Sequence, residues 1–108
     1  MINPLTIPIN NIDENFNFSQ KVEIENTKYV FRFFWNFRAE YWNIEIKDDF
    51  GDILLSGIKM VVNYDLMKFH AIDGLPKGSL ILFDTLGTSK ECEFKELGKR
   101  CILLYIGV

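Results

Sequence analysis

The chain of 108 residues has one histidine, two cysteines and three prolines, and its net charge is −3. Each scarcity excludes something. A single histidine, His70, cannot anchor a histidine-based metal site, and no G-x-S-x-G elbow supplies a nucleophile for it to activate. Beside a helix end it reads more simply as a capping or solvated side chain. The stretch "DDFGD", Asp48 to Asp52, lacks the D-x-[DN]-x-[DN]-G spacing and the distal Glu of a calcium loop. "LPKGS" is not a phosphate-binding G-x-x-x-x-G-K-[ST]. No catalytic residue, metal ligand or cofactor site is expected, and no enzyme. The missing basic excess argues against nucleic acid as a partner. No run of eighteen apolar residues occurs, so no membrane-spanning helix is expected. The N-terminus lacks the basic and apolar regions of a secretory signal.

Cys92 and Cys101 flank Leu97-Gly98-Lys99-Arg100, which reads as a hairpin turn joining strands 92–97 and 101–106. With Gly98-Lys99 at the turn, Phe94 faces Leu103, Cys92 faces Tyr105 and Cys101 faces Glu96. That register keeps the two sulfurs apart and predicts free thiols in a reducing compartment.

What the chain does have is aromatic residues, concentrated in one place. "YVFRFFWNFRAEYW", Tyr29 to Trp42, holds eight of the sixteen. Hydrophobic residues at 48% and charged residues at 25% otherwise suit a single globular domain. Residues 28–37 alternate as a long strand, with Tyr29, Phe31, Phe33, Trp35 and Phe37 on one face. Lys28, Val30, Arg32, Phe34 and Asn36 form the other. Residues 41–47 return, Trp42, Ile44 and Ile46 opposing Tyr41, Asn43, Glu45 and Lys47. Val22 and Ile24 alternate before a turn at Asn26-Thr27. Residues 53–62 predict a strand with a bulge at Ser56-Gly57. Asn63 can cap a short helix, Tyr64 to His70, with Leu66 and Phe69 inward. "LILFD" and the last two segments bring the count to about seven strands. The pattern predicts an all-β fold, a small antiparallel barrel or sandwich with one short helix. Residues 1–20, Asn-rich with two prolines, read as an extended N-terminal arm, and 21–108 as the single β domain.

Eight buried rings would remove roughly 1,200–2,000 Å² from water. One strand face hides five. Phe34 and Tyr41 lie on the opposite side, where exposed rings would approach the ~300–600 Å² patches that monomers tolerate. The final strand, "CILLYIGV", is apolar on both faces and is therefore either central or covered by another chain. Ile7, Pro8, Ile9, Phe34, Tyr41, Leu103 and Tyr105 are the expected contacts of an assembly. The competing reading is a small β-barrel binding module whose aromatic face stacks on carbohydrate or single-stranded nucleic acid.

The succession of local features resembles the phage baseplate plug family of tailed phages and phage-like particles. It runs from Ile7-Pro8-Ile9 and Phe16 through "FRFFWN" with Trp35-Asn36, then Trp42 and Ile44-Glu45-Ile46. Asp48-Asp49-Phe50-Gly51, "LLSGI" from Leu54 to Ile58, Asp65-Leu66 and Leu75-Pro76-Lys77-Gly78-Ser79-Leu80 follow. The segment after Asp84 carries none of it. The resemblance implies a structural virion component in the tail baseplate, made in the host cytoplasm. It implies a homo-oligomer around the tail axis, packed against the hub and the tail tube, with no catalytic residues.

Overall fold

The structure, a computed structural model, describes residues 4–68, 72–88 and 90–107. Alternating apolar side chains form seven antiparallel strands: β1 (Leu5–Ile7), β2 (Asn17–Ile24), β3 (Thr27–Asn36), β4 (Tyr41–Asp48), β5 (Ile53–Lys59), β6 (Ser79–Asp84) and β7 (Cys101–Ile106). They make two sheets, one ordered β2-β3-β4-β5 and one ordered β1-β7-β6. The fold is all-β, with a single 3-10 turn at Phe94–Glu96 as the helical element among the described residues. β2 starts at Asn17, so the last residues of the expected arm belong to the larger sheet. β1 pairs with β7 of its own chain, Ile7 opposite Leu103.

Local chemistry sets the hairpins. β2 and β3 meet through Glu25-Asn26, both at positive φ, the conformation of a two-residue turn that follows strand twist. The turn therefore lies one residue earlier than Asn26-Thr27. Between β3 and β4, the Asn36 side chain accepts hydrogen bonds from the N–H groups of Arg38 and Ala39. In the next turn Asp48 accepts from Phe50 and Asp52, and Gly51 sits at φ +92°. The bulge at Ser56-Gly57 is present: Gly57 has φ +66°, and the β4–β5 register slips between Ile44 and Lys47.

The sheets bury their facing sides against each other. Tyr29, Phe31 and Phe33 come from β3, Trp42, Ile44 and Ile46 from β4, and Leu80, Leu82, Leu103 and Tyr105 from the smaller sheet. The odd-numbered face of β3 thus turns inward, but the burial fades along it. Trp35 is half-buried and Phe37 is 65% exposed.

Two expected elements are absent. No helix follows Asn63 among the described residues; Phe69 and His70 lie outside them. Asn63 has φ +63°, whereas a helix N-cap needs extended backbone. Its side chain accepts from the N–H of Asp84, and the Asp65 carboxylate accepts from the N–H groups of Met67 and Leu80. These bonds lay the segment along the edge of β6, where Leu66 is buried.

The second is the strand over 92–97. Arg100, whose side chain is 9% exposed, pairs with Asp84 at 3.0 Å and with Glu96 at 2.6 Å. It also donates to the carbonyl of Glu91 at 2.7 Å and the hydroxyl of Thr88 at 3.1 Å. This network gathers the chain around one guanidinium and coils Phe94–Glu96 into the 3-10 turn. It raises the Arg100 pKa, chiefly through the bond to Glu96, and holds the Glu96 carboxyl below its usual range, chiefly through Arg100. The hairpin register expected for Cys92 and Cys101 is overturned with it. Both thiols are free and buried, and the Cys92 thiol donates to the carbonyl of Glu93 at 3.7 Å. The neighbouring Cys101 thiol, then burial, pushes the Cys92 thiol up.

Candidate interaction surfaces

The backbone register divides the surface into three regions of different chemistry. On the smaller sheet, β7 turns Cys101, Leu103 and Tyr105 inward, so Ile102, Leu104 and Ile106 turn out. Across the ladder Phe83 pairs with Ile102 and Ile81 with Leu104. These five side chains form an apolar outer face, half-buried except for Phe83, which is 44% exposed. The described residues hold no third layer over it.

The outer face of the larger sheet is polar. Arg32 lies opposite Glu45 on β3 and β4, with Nη1 3.3 Å from Oε2. Ser56, lifted at the bulge, donates to the same oxygen at 3.4 Å, and Lys47 Nζ stands 3.8 Å from Oε1. Glu45 is buried beneath these neighbours although it faces away from the core. The Arg32 guanidinium sits 4.5 Å from the centre of the Phe34 ring, and the Lys59 ammonium 4.8 Å from that of Tyr41. Both rings therefore already have a cation against them.

The third region is one end of the sandwich. Phe94, in the 3-10 turn, stacks on Trp42 at 5.3 Å and on Phe16 at 4.5 Å, and meets Trp35 edge-on at 5.6 Å. Phe16 in turn contacts Phe37 at 4.5 Å. The Trp42 indole N–H donates to the Phe94 carbonyl. Rings thus run from the core to the surface, ending in Phe16 and Phe37. Beside them opens a groove of about 480 Å³, lined by Trp35, Glu40, Lys90, Glu91, Cys92, Glu93 and Phe94.

The expected contact residues fall in separate places. Phe34 and Tyr41 share the polar outer face, half-buried. Pro8 is exposed, and Ile9 is half-buried against Gly98. Ile7, Leu103 and Tyr105 are buried at 2%, 0% and 3% because β1 and β7 present these positions to the facing sheet. Tyr105 instead ties elements together: its hydroxyl donates to Glu25 and accepts from the N–H of Gly78. What sequence reasoning missed is the other half of β7 and its partners on β6. The apolar run in both phases was the available signal.

An aromatic platform for sugars or bases needs rings in a row on an open face. Tyr29, Phe31, Phe33 and Trp42 are inside. Among the described residues, no group of three His, Cys, Asp or Glu is placed to hold a metal ion.

No curated protein matches the chain. A family profile described as "Cyanophage baseplate Pam3 plug gp18" matches residues 5–108, including the stretch after Asp84. The chain therefore belongs to that baseplate plug family: it is a structural protein of the phage tail, of all-β fold, located in the baseplate among other baseplate proteins.

Proposed function

We propose that the chain works as a passive packing part of the baseplate, a homo-oligomer arranged around the tail axis and held between the hub and the end of the tail tube. It would have no catalytic task. One β domain carries the contacts, and the residues ahead of β2 serve as its arm. The supporting observation is the outer face of the smaller sheet, where Ile81, Phe83, Ile102, Leu104 and Ile106 lie together. A sheet face that is apolar over two neighbouring strands gains free energy when another surface removes it from water. Obligate interfaces have this composition, a domain core cut in half. Pro8, Ile9, Phe34 and Tyr41 remain proposed contacts of the same assembly. Ile7, Leu103 and Tyr105 contribute by fixing the strands whose outward residues meet the neighbour.

Light scattering on the purified chain, alone and mixed with the hub and tube proteins of the same particle, tests this. The expected result is a mass above one chain that rises with concentration, and a further complex with at least one tail component. A strictly monomeric chain that binds neither protein overturns the proposal.

A further inference from the structure

The groove at the aromatic end differs from the apolar sheet face in one respect: its rings are rimmed by charge with an acidic excess. Among the described residues, Glu40, Glu91 and Glu93 line it against the cation Lys90. Glu91 is already paired, 2.6 Å from Lys59. Two carboxylates, Glu40 and Glu93, then face one ammonium, and both are exposed. Arg38, in the same turn as Glu40, does not line the groove. The walls between the acids are Trp35 and Phe94, each half-buried, and the neighbouring rings of Phe16 and Phe37 are 47% and 65% exposed. These two rings pack on each other and leave their outer sides to water.

We propose that this groove receives an arginine side chain carried by a partner protein of the baseplate. The proposal deepens the assembly reading and rests on it for the partner's origin. The chemistry points to arginine. Its planar guanidinium is weakly hydrated, stacks against aromatic rings and donates to carboxylates along its edge. An apolar side chain would strip water from Glu40 and Glu93 without replacing their hydrogen bonds. An acidic one would be repelled by them. The volume of about 480 Å³ admits the long side chain and part of the backbone that bears it.

The test uses the full chain, labelled with nitrogen-15, and two blocked peptides, Ac-Gly-Arg-Gly-NH2 and Ac-Gly-Gln-Gly-NH2, at low ionic strength. The arginine peptide should shift the Trp35 indole N–H and the amides of Glu40 and Phe94 in a saturable way. The amides of Ile44 and Leu103, deep in the core, report whether the fold is intact. Binding should weaken roughly threefold to fivefold in the double variant Glu40→Gln, Glu93→Gln, and as salt rises. The glutamine peptide should bind no more tightly to the natural chain than the arginine peptide does to that variant. Equal shifts from both peptides, an unchanged affinity in the double variant, or no saturable shift from the arginine peptide would each overturn the proposal. The assay needs no assembly. If light scattering still finds oligomers while the arginine peptide is silent, only this inference is lost.

Discussion

Among the described side chains, Tyr105 joins parts of the chain that lie far apart in sequence. It is 3% exposed, and its hydroxyl links the β2–β3 turn at Glu25 to Gly78, just ahead of β6. Gly78 is required there for space. A Cβ at that position would overlap the carbonyl oxygen of Ile106 and come within 2.7 Å of the Tyr105 hydroxyl. Tyr105→Phe should lower stability by about 1–3 kcal/mol, since the Gly78 N–H loses its partner. Urea unfolding followed by tryptophan fluorescence measures this. The pH dependence follows from the same residue. Burial first, then the bond to Glu25, pushes the Tyr105 pKa up to about 12, above an unfolded value near 10. The folded chain therefore binds this proton more tightly than the unfolded chain. The resulting stability is complete below pH ~10 and is lost as pH rises towards ~12. Tyr29, also raised and mainly by burial, acts in the same direction. Tyr105→Phe should flatten the alkaline decline only in part. An alkaline decline as steep in Tyr105→Phe as in the natural chain would contradict this assignment.

At the scale of elements, alternation made β2 to β5 legible, and burial in the structure follows it closely. Phe31, Phe33, Ile44 and Ile46 can only be inside once their strands pair. The bulge was legible because glycine inside a strand has few other uses. The segments that escaped are those fixed by contacts remote in sequence. Residues 92–97 alternate well enough for a strand, yet Arg100 reaches back to Asp84, Thr88 and Glu91 and holds the chain in a coil. No window of neighbouring residues carries that information. The predicted helix after Asn63 failed likewise, because Asp65 bonds across to Leu80. Arg100 thus substitutes for a missing strand pair. Arg100→Met should cost about 3–5 kcal/mol, because the Asp84 carboxylate, with no exposed side-chain surface, would lose the guanidinium 3.0 Å away. Replacing Asp84 as well, by Asn, should recover part of the loss. A thermal unfolding series on the two single variants and the double variant reads this coupling. Strict additivity would show that the pair does not act as a unit.

The whole molecule is two layers with unequal outer faces. One is covered by its own ion pairs, Arg32 and Lys47 around Glu45. The other is apolar at Ile81, Phe83, Ile102, Leu104 and Ile106, and no ion pair covers it among the described residues. The site residues were half legible for this reason: sequence alone identifies β7 as apolar in both phases, but which phase faces out depends on which sheet lies opposite. Leu103 and Tyr105 lost that choice to Ile102, Leu104 and Ile106. The difference gives the assembly reading a sharp consequence. Leu104 sits between Thr6 and Ile81 on the outer face, so a lysine there keeps the inner core intact. Leu104→Lys should change the stability of the isolated chain by less than about 1 kcal/mol. At a neighbour's surface the same ammonium would be forced out of water. An interface centred on this face should then weaken by about 2 kcal/mol or more, on the order of thirtyfold. Sedimentation of the variant, beside a control at exposed Lys28→Gln on the other sheet, compares the two faces directly. Dissociation of Leu104→Lys with an unaffected control locates the contact on the β6–β7 face; equal association of both would remove that face from the assembly.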